Sequence, residues 1–176
     1  MMDQGKIVQI RTFSQKFTNS PAEKFLLMIL GSQAKLENDN KGEGVKRGLR
    51  AKAQMGWRPG MPPIGYLHDC GAKKGERKVL FDPKRAPIVK KMFEYVAYEG
   101  WSGPQVLRWL RKIDFRTRTN GKIYLSRIYI MLRDPFYYGR FEYPLGSGQW
   151  YDGKHDPIIS KELFDQAQAN IEFLPN

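Results

Sequence analysis

The side chains of this sequence best placed to do chemistry are cations. In residues 45–66, VKRGLRAKAQMGWRPGMPPIGY, the charged residues are Lys46, Arg47, Arg50, Lys52 and Arg58, with no carboxylate among them. A segment that cannot neutralise itself seeks a polyanion. Arg116, Arg118, Lys122, Arg127 and Arg133 form a second group, again with no carboxylate between the first and the last. Covalent chemistry has far weaker support. His155 stands between Lys154 and Asp156 with Asp152 nearby, but Gly153 and Pro157 mark a loop, where a solvated or hydrogen-bonded histidine is the ordinary state. His68, Asp69 and Cys70 are three chain neighbours rather than a triad or a metal site. Tyr137 and Tyr138 fall in an aromatic-rich run and read as core and rim. No Gly-rich phosphate loop precedes a helix, and no carboxylates cluster for two-metal chemistry. The expected catalytic residues, metals and cofactors are therefore none.

Composition points the same way. The 176 residues carry 30 Lys+Arg against 18 Asp+Glu, a formal net charge of +12, which favours nucleic acid over acidic small molecules or membranes as the partner. A single cysteine, Cys70, rules out a disulfide or a Cys-based zinc site within the chain. The first residues lack the apolar core of a signal peptide and no run has the length of a membrane span, so the expectation is a soluble, cytoplasmic protein. Among the aromatics, Trp57 in the basic segment is the candidate for base stacking; the others read as packing.

The elements that must position these cations follow from spacing. Residues 6–12, KIVQIRT, alternate as a strand with no convincing partner nearby. Ser20, Pro21 and Glu23 open a helix as cap, first-turn proline and capping-box acid, with Phe25, Leu26, Ile29 and Leu30 on one face. ENDNKGEG at 37–44 reads locally as a break between two helices. The alternative is one long exposed helix, because residues 36–53 contain no proline and Val45, Leu49 and Ala53 recur at fours. After a Pro/Gly strap at 58–65, a helix opens at Asp82-Pro83, carries Ile88, Val89, Met92, Phe93 and Val96, and stops at Gly100. Another is capped at Ser102 with Gln105 and carries Val106, Leu107, Leu110 and Ile113, and the two are expected to pack together. FRTRTNGKIYL at 115–125 reads as a hairpin about Asn120-Gly121. Ser126 caps a third helix, YYGRFEY and QWY form a second hairpin, and a last helix from Ser160 buries Leu163, Phe164, Ala167 and Ile171. The expected fold class is α+β, mostly helical, with two β-hairpins. Residues 102–133 read as a helix-turn-helix-like unit whose turn is a basic ribbon, suited to a major groove. The arm around 46–58 suits phosphates and the minor groove.

In this order the residues resemble a family. The helix from Asn19-Ser20-Pro21, the basic helix, GWRPGMPPIGY, EGWSGPQVLRWL, FRTRTNGKIYLSRIYIMLRDPFYYGRFEY and GKHDPIISKELFDQAQ are similar, over essentially the whole chain, to a large serine recombinase (serine integrase). Its most specific parts are PPIGY, RDPFYYG and HDPIIS. The resemblance implies site-specific DNA recombination and integration, in a bacterial, phage or other mobile-element context. It implies that residues 1–57 correspond to the end of the catalytic domain, with its last strand and a continuous long helix that dimerises. Residues 58–65 are then the strap, and 66–176 the recombinase domain that binds half of an attachment site. The family's nucleophilic serine, its arginine cluster and its zinc ribbon do not occur in this sequence, and none of Ser14, Ser20 or Ser32 lies in such a motif. The expectation is thus the DNA-binding middle of a recombinase, truncated of its active site, partnered by double-stranded DNA and by a second copy or an intact recombinase. The alternatives are a stand-alone DNA-binding regulator of recombination and a non-specific nucleic-acid binder.

Overall fold

The computed structural model describes residues 9–11, 16–18, 20–69, 71 and 78–172. Cys70 and the outer residues of the strand expected at 6–12 lie outside them. The chain divides into two compact units, Met1–Leu49 and Arg50–Asn176.

In the first unit, β1 (Gln9–Arg11) pairs antiparallel with β2 (Lys16–Thr18), Ile10 opposite Phe17. The strand therefore has a partner, contrary to expectation. The partner is only three residues long and buries one side chain, Phe17, too little alternation for a periodic pattern to reveal. Next comes α1 (Pro21–Gln54), one helix of 34 residues and about 51 Å at 1.5 Å per residue. Ser20 Oγ accepts the Glu23 amide at 3.3 Å, as a cap should, while the Glu23 carboxylate reaches back to the Thr18 amide and hydroxyl. Of the two readings of 37–44, the continuous helix holds. Glycine costs a helix only about 1 kcal/mol each, no proline interrupts, and exposed pairs Glu37–Lys41 and Glu43–Lys46 span the stretch.

The second unit holds the main core. Two short antiparallel pairs, β3 (Tyr66–His68) with β4 (Val79–Phe81) and β5 (Arg140–Glu142) with β6 (Trp150–Asp152), accompany α2 (Ala86–Glu99), α3 (Gly103–Lys112), α4 (Leu125–Leu132) and α5 (Lys161–Glu172). The mostly helical α+β class is as expected; the β3–β4 pair, again of three-residue strands, was not. α2 packs chiefly on α5, and α3 on α4. α2 and α3 meet at an aromatic joint, where Tyr95 stacks on Trp101 at 4.2 Å and meets Trp109 edge-on at 5.1 Å.

The stripes read from spacing are buried: Val89, Met92, Phe93 and Val96 on α2, Val106 and Leu110 on α3, Ile128, Met131 and Leu132 on α4, and Leu163, Phe164, Ala167 and Ile171 on α5. Ile88 and Leu107 are only half-buried at the edge of these stripes, and Ile113 is exposed at the C-cap of α3. α2 begins later than Asp82 because that carboxylate forms a turn instead, accepting the Lys84 and Arg85 amides. Gly100 ends α2 with φ 65°, the left-handed value glycine tolerates. Gln105 Oε1 accepts the Ser102 amide at 2.7 Å, as the capping box requires. Ser126 sits inside α4 rather than at its cap, which is Tyr124. Tyr137 and Tyr138 lie in a 3-10 helix (Pro135–Tyr138) rather than a strand. The Asp134 carboxylate accepts the Phe136 amide and starts that turn, and Gly139, at φ 98°, redirects the chain into β5.

Candidate nucleic-acid interface

The strap leaves α1 at Gly56, whose carbonyl accepts the Lys154 amide at 2.9 Å. A Cβ on Gly56 would stand 2.9 Å from Asp152 O, and its φ is 80°, so only glycine fits. Three side chains then fasten the strap. Arg58 Nη1 donates to Asp134 Oδ2 at 2.9 Å, its guanidinium 5.1 Å from the centre of the Phe136 ring. Arg118 Nη2 donates to Pro62 O at 2.7 Å and Nη1 to Tyr66 O at 3.4 Å. The Tyr137 hydroxyl donates to Ile64 O at 2.8 Å.

The segments PPIGY, RDPFYYG and HDPIIS converge at the same place. The Tyr66 hydroxyl donates to Asp156 O and accepts the Ile158 amide, both at 3.0 Å. His155 lies flat on Phe136 with ring centres 3.6 Å apart, and its Nε2 donates to Phe136 O at 2.7 Å. Burial pushes the Tyr66 and Tyr137 phenols well above the usual tyrosine value, so both remain protonated donors. Burial likewise lowers the His155 pKa, outweighing the pull of the Phe136 carbonyl, which leaves a neutral ring at pH 7. These groups are scaffold: each is spent on a backbone partner.

Between strap and α4 lies a cleft of about 200 Å³, lined by Arg58, Met61, Arg118, Arg127, Ile130 and Asp134 among others. It brings together three of the cations singled out by sequence. On α4 the buried face of Ile128, Met131 and Leu132 leaves Ser126, Arg127 and Ile130 exposed, with Arg133 just beyond. Arg133 lies 5.7 Å from the Tyr129 ring centre.

The expected hairpin at 115–125 is reduced to one antiparallel bridge, Arg116 to Lys122. Phe115 and Ile123 turn into the core on either side, which leaves no room for a longer ladder. The loop is closed by its own groups: the Thr117 amide donates to Gly121 O at 2.9 Å and the Gly121 amide to Thr117 Oγ1 at 3.0 Å. Asn120 takes φ 60° at the end of this loop rather than in a two-residue turn. From outside, Arg85 Nε and Nη2 hold the carbonyls of Arg116 and Thr117 at 2.9 and 3.0 Å, and Nη1 pairs with Asp82 at 2.7 Å. Burial raises the Asp82 carboxyl pKa, but the Arg85 hydrogen bond and two backbone amides outweigh it and hold the group below its ordinary value.

Beside the loop is a groove of about 520 Å³ lined by Arg111, Asp114, Arg116, Lys122, Ile123 and Tyr124, with Phe115 at its base. Arg116 is paired to Asp114. Arg111 was missed in the sequence, although its place beside Leu110, off the buried stripe, was enough to find it; Arg85 carried no such signal, because its role depends on carbonyls 31 and 32 residues away. Lys46, Arg47 and Arg50 are exposed on α1 and Lys52 half-buried, and Lys46 meets Glu43 at 2.9 Å. Trp57 is half-buried. Among the described residues no group of three or more His, Cys, Asp or Glu side chains is placed to hold a metal, and no helix is long and apolar enough to cross a membrane.

The family model described as Recombinase matches residues 83–172. In structure the chain is similar to a large serine recombinase (LSR) in a crystal structure of an LSR–DNA complex, at 20% identity and a TM-score of 0.55, over 70% of this chain and 36% of that one. It is also similar, at 22% identity and a TM-score of 0.48, to a chain from a structure concerned with the sequence requirements of the Listeria innocua prophage attP site, over 61% of this chain and 40% of that one. At these identities the first likeness bears on the fold alone. The chain spans well under half the length of either structure. No curated protein matches it.

Proposed function

This chain belongs to the Recombinase family, and on that premise we propose that it is the DNA-binding portion of a site-specific serine recombinase, gripping duplex DNA during integration or excision. One observation carries the reading. At the cleft and the groove the lining carboxylates, Asp134 and Asp114, are each taken by an arginine of the chain itself, while the lining cations Arg111, Lys122 and Arg127 have no ion pair among the described residues. The two openings thus present charge of one sign, which a polyphosphate backbone neutralises with release of its counterions.

In this reading α4 enters the major groove, where a helix of 10–12 Å diameter fits a groove about 12 Å wide. Arg127, Arg133 and Lys122 meet base edges and phosphates. Arg58, Arg116 and Arg118 shape the strap and loop that present them, and Lys46, Arg47, Arg50 and Lys52 follow phosphates along the helix. Residues 1–57 correspond to the end of the catalytic domain, 58–65 to the strap and 66–176 to the DNA-binding domain. Exposed Phe25, Leu26, Met28, Ile29 and Leu30 on the first turns of α1 are the surface that a second copy or an intact recombinase covers. The test is fluorescence anisotropy of the full chain on random-sequence duplex DNA across a salt series. Affinity should fall steeply with salt, and Lys122→Ala and Lys46→Ala should each flatten the slope. A salt-independent affinity, or none, would rule the reading out.

A further inference from the structure

The exposed crest of α4 is not uniformly cationic. Ser126, Ile130 and Arg133 recur at i, i+4 and i+7, so they share the ridge that points away from Ile128, Met131 and Leu132. Arg127 stands beside the ridge on the side of the strap, in the cleft it shares with Ile130. Ile130 is 56% exposed, and Met61, another lining residue of that cleft, is 70% exposed. Scattered exposed apolar side chains are ordinary; what singles Ile130 out is its place in the middle of the ridge, between a hydroxyl and a guanidinium. A β-branched residue gains nothing for a short helix at a solvent-facing position.

From Ser126 to Arg133 the ridge rises about 10 Å, close to three base-pair steps of 3.4 Å. A hydroxyl, a branched alkyl group and a guanidinium in that order match three kinds of feature on a major-groove floor: a donor or acceptor edge, a thymine 5-methyl, and a guanine or phosphate. The methyl is the one feature there that is read by apolar contact rather than by a hydrogen bond.

We infer that Ile130 is a specificity-determining residue that packs on a thymine 5-methyl group, so that the preferred DNA site contains a thymine whose methyl is required. The inference rests on the reading that α4 enters the major groove. Its occupant is duplex DNA, because the apolar surface is flanked by Arg127 and Arg133, and Asp134, the carboxylate lining that cleft, is occupied by Arg58.

The experiment begins with a random-sequence duplex pool, from which the full-length chain selects its preferred sequence. That sequence is then resynthesised with each thymine replaced singly by deoxyuridine, which removes one methyl and nothing else. At one or two positions deoxyuridine should weaken binding about fourfold, the value of one buried methyl. In Ile130→Ala that dependence should vanish, while Ile130→Val, which keeps the branched methyls, should retain most of it. All three proteins should share one circular-dichroism spectrum and unfolding midpoint. The inference is overturned if deoxyuridine is silent at every position in the unsubstituted chain, or if its penalty persists undiminished in Ile130→Ala. A pool that yields no preferred sequence removes the proposed function itself, and this inference with it.

Discussion

Arg118 offers the sharpest separation between holding the strap and touching DNA. Its guanidinium donates to Pro62 O at 2.7 Å and to Tyr66 O at 3.4 Å, and Pro62 is buried. A hydrogen bond from a charged donor contributes about 1.5–3 kcal/mol, and an acceptor left buried and unpaired costs about 1–3 kcal/mol. The 3.4 Å contact is beyond the usual N–H···O range and adds little. Because the side chain is only half-buried, solvent screens part of the first bond. Arg118→Ala should therefore destabilise the fold by about 2 kcal/mol, lowering the thermal midpoint by roughly 4–8 °C. Arg118→Lys should recover part of the loss, since an ammonium reaches one carbonyl but lacks the planar fork. Urea unfolding supplies the free energy, and anisotropy on DNA well below the midpoint supplies the binding. The reasoning is refuted if Arg118→Ala unfolds like the unsubstituted chain yet loses affinity for one preferred sequence only, because then the guanidinium reads DNA instead of clamping the strap.

Other predictions concern charge, protons and glycines. Lys46→Ala should weaken every duplex alike and reduce the salt slope by about 1; a loss confined to one sequence in a salt titration would oppose its role on phosphates. His155 is held neutral when folded, below its ordinary 6.5, whereas the unfolded chain takes up a proton as pH falls through that value. Its stabilising contribution is thus complete above about pH 6.5 and lost as pH drops toward the lowered folded pKa, so the urea midpoint should fall between pH 7 and 5, and His155→Asn should flatten that fall. Gly153→Ala would put a Cβ 2.4 Å from the His155 ring, which is fixed by its stack on Phe136, and should cost about 1–3 kcal/mol in urea unfolding. Gly42→Ala, with open space around it inside α1, should instead raise helicity at 222 nm and stabilise the helix by about 1 kcal/mol; no gain would mean that α1 is not one helix in solution.

Which parts of this molecule were legible in the sequence follows from how local each signal is. The apolar stripes of α2 to α5 are set by 3.6-residue spacing, and their burial could be read directly. The same holds for the Gly100 stop, whose cause lies within one turn. By contrast, β2, β3 and β4 are three residues each, below the length at which alternation separates a strand from chance. The Asn120-Gly121 signal was overruled by tertiary burial of Phe115 and Ile123, which a turn preference does not anticipate. At the candidate interface, the cations could be seen but not their partners. Arg58, Arg116 and Arg118 look as free as Arg127 in the sequence, yet Arg58 and Arg118 find partners 76, 56 and 52 residues away. The segments most specific to the family resemblance, around Tyr66, Tyr137 and His155, knit the core rather than line the openings.

The most direct measurement compares the affinity of the full chain for its pool-selected duplex with that for a scrambled duplex of equal length, before and after Arg127→Ala. If α4 reads base edges, the unsubstituted chain should favour the selected duplex. The substitution should then remove about 1–3 kcal/mol, on the order of 5- to 150-fold, from that duplex while changing the scrambled one little. Equal affinity for the two duplexes, or equal losses on both, would contradict a site-reading recombinase domain and leave only a non-specific polyanion binder.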